Sequence, residues 1–355
     1  MKQLQENGSK NKPVRIYFDR WGYVYPDYKI EDKLFRFRGS ALDSVYRMDN
    51  NTLISAYQSE KLQYDTNRPS EENIEKLQLY LDQKYTALID SMAIDKKLVF
   101  LIHGYNNDGN SASMVFSRLE LAINKQRPED DIQFVEIYWD GMFRGKNILN
   151  SVKIWNNAQY NASLVALGLR RILNRLRSEQ IYVVTHSQGA AVITEALFNA
   201  ERFRPKFYTN DKDGQEIVSL RNNPLYNSPS AHFTVGMLVP AIPGMNVFED
   251  YYCRTLEGRQ ELVTTAEYKF INGFNAHDLI TSKWKFSTFF GSTSLASREK
   301  EHEAVKIFFQ GNTNIYDRVI FSTSKGSKQT SHAVKDYVDN ENFPAFVRKI
   351  FNSPN

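Results

Sequence analysis

The stretch Ile181-Tyr182-Val183-Val184-Thr185-His186-Ser187-Gln188-Gly189-Ala190-Ala191 carries an apolar strand through a serine into a helix that opens with small residues. A serine at so tight a strand-to-helix turn is held in a strained backbone conformation, with its hydroxyl raised above the sheet where a substrate can reach it. Gly189 and Ala190 provide the room for the helix to approach. An unaided serine hydroxyl is a weak nucleophile, so the chemistry also needs a base and a group that orients the base. Six histidines compete for the first role: His103, His186, His232, His277, His302 and His332.

The serine segment resembles the nucleophile elbow of the α/β-hydrolase superfamily, on its lipase/esterase side, with Thr185 where the G-x-S-x-G pattern carries its first glycine. Upstream, the apolar run Leu98–Ile102 enters His103-Gly104-Tyr105-Asn106-Asn107, which resembles the oxyanion loop of lipases and esterases. The resemblance implies an oxyanion hole built from the backbone N–H groups of Tyr105 and of Gln188, the residue after the serine. It also implies a chain order of serine, then acid, then histidine. Asp278, in Asn275-Ala276-His277-Asp278, follows an apolar run over 267–272 and sits in the loop where such an acid belongs; Asp250, one strand earlier, is the competitor. Chain order, and the need for a loop after the last strand, select His332 in Thr330-Ser331-His332-Ala333-Val334-Lys335-Asp336-Tyr337 as the base. His103 and His186 are then structural neighbours of the motifs, His277 a loop residue, and His302 part of a charged helix face.

The elements that must position these residues alternate in type. The pattern predicts helices over 112–126, 153–178, 188–201 and 343–351, and strands over 98–102, 132–139, 181–186, 232–240, 267–272 and 316–322. Short continuous apolar runs are the mark of strands buried on both faces, so the expected class is α/β, with a mostly parallel central sheet flanked by helices on both faces. Ahead of it, residues 1–95 form an N-terminal extension: a hairpin over 14–30 turning near Gly22, then a helix with Ser70 as its expected N-cap and Ile74, Leu77, Leu81, Tyr85, Leu88 and Ile89 on one face. Residues 96–355 form the catalytic domain. Two excursions leave its core, at 202–230 and 279–310, and the second carries Trp284, Phe286, Phe289 and Phe290, which either form a lid or the wall of an acyl pocket or complete the core.

Composition narrows the partners. Forty-five Lys and Arg against 41 Asp and Glu leave a formal +4 spread along 355 residues, which gives no case for nucleic acid. The local cluster Arg170, Arg171, Arg175 and Arg177 reads as a solvated helix face. One cysteine, Cys253, excludes an internal disulfide framework and a zinc-thiolate site, and 141–146 and 211–214 lack the spacing of phosphate and calcium loops. Neither metal nor cofactor is expected. Met1 to Pro13 is polar and no window is apolar enough to span a bilayer, so the expectation is a cytoplasmic protein, with signal-independent export left open. The resemblance thus implies a serine esterase acting on a small-molecule or lipid ester, with peripheral membrane contact open to it. A non-catalytic binding protein on the same fold and a phospholipase toxin or defence effector are the alternatives.

Overall fold

The computed structural model describes residues 11–25, 50–142, 148–198, 231–248, 253–256, 259–262, 268–282 and 293–352. Seven strands form one sheet: β1 (Val14–Phe18), β2 (Lys97–Ile102), β3 (Ile132–Trp139), β4 (Gln180–His186), β5 (His232–Leu238), β6 (Tyr268–Phe274) and β7 (Tyr316–Ile320), in the order β1-β3-β2-β4-β5-β6-β7. Every neighbouring pair is parallel. The sheet is therefore wholly parallel, where the sequence suggested mostly parallel, and all its carboxyl ends open on one edge. In open sheets of this kind, ligands bind at that edge.

Each strand feeds two cores by strict alternation. Leu98, Phe100 and Ile102 of β2 point into one cluster, and Val99 and Leu101 into the other; Ile181 and Val183 of β4 oppose Tyr182 and Val184 in the same way. The first cluster is covered by α1 (Asn50–Ser59), α2 (Ser70–Met92), the paired helices α4 (Ile148–Leu173) and α5 (Gly189–Leu197), and α7 (Glu299–Phe308). The second lies under α3 (Gly109–Gln126), α8 (Val334–Val338) and α9 (Phe343–Phe351). A short α6 (Leu279–Ser282), a 3-10 turn over Met245–Val247 and two small antiparallel ribbons complete the described elements. With each fully buried Val, Leu, Ile or Phe stabilising by roughly 1.5–3 kcal/mol, these two layers hold the sheet.

The N-terminal region differs from its expected form. Val14–Phe18 joins the main sheet beside β3, and the turn at Gly22 brings the following segment back against it antiparallel, with a bridge from Phe18 to Val24 and the Tyr25 N–H donating to the Tyr17 carbonyl at 2.8 Å; residues 26–30 of the expected hairpin lie outside the described residues. The pattern of alternating apolar residues is right; its partner is a distant strand. Helix α1 falls in a weakly patterned stretch and was not expected. In α2, Pro69 occupies the cap position, Ser70 is the first helical residue, and no side-chain cap bond forms. The amide of Asn73 instead ties down the preceding turn, donating to the Asp65 carbonyl at 2.9 Å.

The arginine cluster at the end of α4 is also corrected. Arg170 is buried, and its guanidinium donates to the carbonyls of Glu195 (2.6 Å), Ala196 (2.9 Å) and Phe198 (2.9 Å), closing the C-terminus of α5 where helical carbonyls lack intrahelical partners. Arg171 donates to Asp82 of α2 at 2.8 Å and to the Gly22 carbonyl at 3.0 Å. The helix itself stops at Leu173, and only Arg175 and Arg177 lie beyond it. Charge pattern alone could not show that a neighbouring helix ends against this face.

Candidate active site

Strand β4 ends at His186, and Ser187 follows with φ +54°, in the left-handed region that a side chain enters only under strain of roughly 1–3 kcal/mol. The surroundings hold it there. Its N–H donates to the Leu238 carbonyl at the end of β5 (3.0 Å), and its carbonyl accepts from Ala190 (3.2 Å) and Ala241 (3.0 Å). The turn after β5 is strained in turn: Val239, a β-branched residue, has φ +42°, with its N–H bonded to the Gly273 carbonyl of β6. Two adjacent strand ends thus clasp the serine, a support that no motif in the sequence announces.

Small residues make the approach possible, as the sequence requires. A Cβ added to Gly189 would lie 2.5 Å from the Ile102 carbonyl oxygen and 2.7 Å from that of His103, so α5 packs directly on the backbone leaving β2. A Cβ on Gly104 would lie 2.9 Å from Cβ of Ser187. The loop after β2 is therefore in contact with the serine turn, and Tyr105 is one peptide bond from that contact. Its ring meets the edge of Trp155 on α4, centroids 4.7 Å apart. Gln188 stands at the N-terminal end of α5, where helical N–H groups and the helix dipole favour negative charge.

Asp278 and His332, the acid and base expected from the sequence, follow the next two strand ends. Asp278 follows β6 and is fully buried. Its Oδ1 accepts the N–H groups of Ile280 and Thr281, each at 2.9 Å, and its Oδ2 accepts from Nδ1 of His332 at 2.7 Å. Burial alone pushes the Asp278 carboxyl up, but the charge and hydrogen bond of His332, the Thr281 N–H and the Tyr337 hydroxyl together bring it below the usual carboxylate value. It is ionised at neutral pH. His332 lies in the loop ahead of α8, and that loop is fastened through its carbonyls: Gln329 accepts from the Asn275 amide (2.9 Å), Ser331 from the Tyr337 hydroxyl (2.8 Å), and His332 itself from Nε2 of His186 (2.8 Å).

Two residues of this constellation had no role assigned from sequence. The Tyr337 hydroxyl lies 2.8 Å from Asp278 Oδ2 as well as from the Ser331 carbonyl, and accepts from Asn275 at 2.8 Å; with one proton, it serves Asp278 or Ser331 at a time. Tyr337 stands five positions after the histidine and Asn275 three before the aspartate, spacings that become informative only once the two loops are known to touch. Ser187 Oγ and His332 Nε2 are both enclosed and form no hydrogen bond in this structure, with each other or with any described group. The bond between such groups is commonly long in a free enzyme and closes with substrate.

The remaining candidates separate cleanly. His103 is buried, accepts the Trp139 N–H at Nε2 (3.2 Å) and bonds the Gly104 carbonyl at Nδ1 (2.7 Å); burial lowers it to about 4, so it is a neutral brace for the loop. His302 does not lie on a solvated charged face: it is buried, with Nδ1 2.9 Å from the Tyr316 hydroxyl, because α7 turns this position toward β7. His232 is exposed at the opposite, amino end of β5, and His277 donates its N–H to Asn275. Asp250, Trp284, Phe286, Phe289, Phe290 and the excursion 202–230 lie outside the described residues, as does the side chain of Cys253. Among the described residues no group of His, Cys, Asp and Glu is arranged to hold a metal ion, and no helix is long and apolar enough to cross a membrane.

A wholly parallel sheet in this order, with a strained serine between a strand and a helix, agrees with the comparison to known families. Residues 82–206 match the model of a family described as "Alpha/beta hydrolase of unknown function (DUF900)". The chain has the α/β-hydrolase fold. No curated protein matches it. The matched span runs from α2 through β2, β3, β4 and α5, so it takes in both the loop at Gly104-Tyr105 and the serine turn, while Asp278 and His332 fall beyond it. The family match therefore reaches the first half of the site and not the second.

Proposed function

We propose that this α/β-hydrolase is a serine esterase that cleaves carboxyl esters through a covalent acyl-enzyme, with Ser187 as nucleophile, His332 as general base and acid, and Asp278 as the group that orients His332. The observation that carries the reading is the 2.7 Å bond from His332 Nδ1 to a buried, ionised Asp278, in a loop bonded directly to the residue beside the strained Ser187. Because Nδ1 carries the proton given to Asp278, Nε2 is left with its lone pair, the state a general base needs.

In the first step His332 Nε2 takes the Ser187 Oγ proton as Oγ attacks the ester carbonyl carbon. The oxyanion that forms accepts the N–H groups of Tyr105 and Gln188, and the imidazolium is stabilised by Asp278. Collapse breaks the bond to the alcohol, which leaves with the proton from Nε2. Water then gives a proton to Nε2 and attacks the acyl-enzyme, and the acid departs as Ser187 recovers its proton. No step needs a cofactor. A hydrophobic, lipid-like acyl group belongs to the same reading through Trp284, Phe286, Phe289 and Phe290 in the sequence, and with it contact at a membrane surface.

The test is hydrolysis of short- and long-chain p-nitrophenyl esters by wild type, Ser187→Ala and His332→Ala. The reading expects wild-type turnover, loss in both variants at unchanged fold, and a preference for the longer chain. A folded wild type with no turnover on any chain length would overturn it in favour of a binding protein on the same scaffold.

A further inference from the structure

The mechanism leaves one buried group at the site unused. His186 is the last residue of strand β4, directly before the nucleophile; its ring is enclosed, and its Nε2 is 2.8 Å from the carbonyl oxygen of His332, with the two imidazoles 4.8 Å apart between centroids. A carbonyl can only accept, so Nε2 of His186 carries the proton and donates, and Nδ1 holds a bare lone pair; among the described groups it has no partner. We propose that His186 is a positioning residue for the general base: one hydrogen bond from the residue preceding the nucleophile sets the backbone height of His332, and so fixes Nε2 of His332 over Ser187 Oγ.

The reasoning is geometric and rests on the assignment of His332 as base. Asp278 fixes one end of the imidazole, but a single bond at Nδ1 leaves the ring free to swing about it. The His332 carbonyl belongs to the backbone from which that ring hangs. Tying it to residue 186 makes the base and the nucleophile parts of one hydrogen-bonded unit, since residues 186 and 187 share a peptide bond. The other fastenings of the loop, Asn275 to Gln329 and Tyr337 to Ser331, lead to β6 and α8 and reach the serine only through further contacts, whereas His186 is its neighbour in the chain. Burial lowers His186 to about 3, with the neighbouring His332 adding to the effect, so it stays uncharged beside the imidazolium that forms in each turnover.

The test compares His186→Phe, which keeps the ring volume without a donor, with His186→Gln, whose amide nitrogen can reach the same carbonyl. Two readouts are taken on the intact chain: kcat and KM for a short p-nitrophenyl ester, and solvent exchange of the His332 Nδ1–H proton by nitrogen-15 histidine NMR. The expected result for His186→Phe is a fall in kcat of roughly 10- to 100-fold at nearly unchanged KM, with proton exchange at least about tenfold faster. His186→Gln should recover both to within about threefold. Wild-type kcat and exchange in a folded His186→Phe would overturn the proposal, as would a His186→Gln no better than His186→Phe at equal thermal stability. If the wild type hydrolyses no ester, it is the esterase reading that fails, and the exchange measurement still decides whether His186 holds the His332 loop.

Discussion

Replacing Asp278 by asparagine separates the role of the acid from the stability of its loop. Oδ1 of Asp278 accepts two backbone N–H groups, from Ile280 and Thr281, so the asparagine carbonyl is pinned at that position and its NH2 group must take the place of Oδ2. There it faces His332 Nδ1 and the Tyr337 hydroxyl. Tyr337 can accept from the amide and give its own proton to the Ser331 carbonyl, which is already within 2.8 Å. His332 cannot adjust so cheaply: with a donor opposite Nδ1 it must place its proton on Nε2, the atom that has to receive the serine proton. The expected loss in kcat is roughly ten-thousandfold, about 5 kcal/mol of transition-state stabilisation, with KM nearly unchanged. Steady-state ester hydrolysis, alongside a thermal melt within a few degrees of wild type, is the assay. A folded Asp278→Asn protein retaining a tenth of wild-type kcat would refute the tautomer argument.

Other substitutions test other parts of the account. Tyr337→Phe removes a hydroxyl that Asp278 or Ser331 uses, and should lower kcat by roughly tenfold with Asn275 still holding Gln329. Gly104→Ala puts a Cβ 2.9 Å from that of Ser187, and should cut the rate of fluorophosphonate labelling more than it lowers the melting temperature. Arg170→Met leaves three helix-end carbonyls without their charged donor and should cost about 3 kcal/mol or more in denaturant unfolding. Glu120 tests the pH dependence: burial first, then the charge of Glu136, push its carboxyl up to about 8, so the folded state holds a proton that the unfolded chain has lost. Unfolding free energy should therefore fall as pH rises from about 4.5 to about 8, and Glu120→Gln should flatten that slope in urea titrations; an identical slope in the variant would count against the shift.

The sheet was legible because burial on both faces writes itself as short, unbroken apolar runs, and β3 and α9 lie within the limits that pattern sets. The partner of β1 was not, because alternation states that a strand exists and not where it pairs. Ser187, Asp278 and His332 could be picked out by local context and chain order, and the structure brings the last two into a hydrogen bond across 54 positions. The burial of Arg170 and His302, the clasp at Val239 and the tyrosine and asparagine behind Asp278 depend on which loops meet. Contacts of that kind leave no trace in the spacing of one chain.

The central claim is that Ser187 is an activated nucleophile. Its most direct measurement is labelling with a fluorophosphonate at neutral pH, followed by peptide mass spectrometry to find the adduct. The account predicts one adduct, on the peptide containing Ser187, absent in Ser187→Ala and strongly slowed in His332→Ala. An adduct elsewhere in the chain, or equal labelling of wild type and Ser187→Ala, would contradict it.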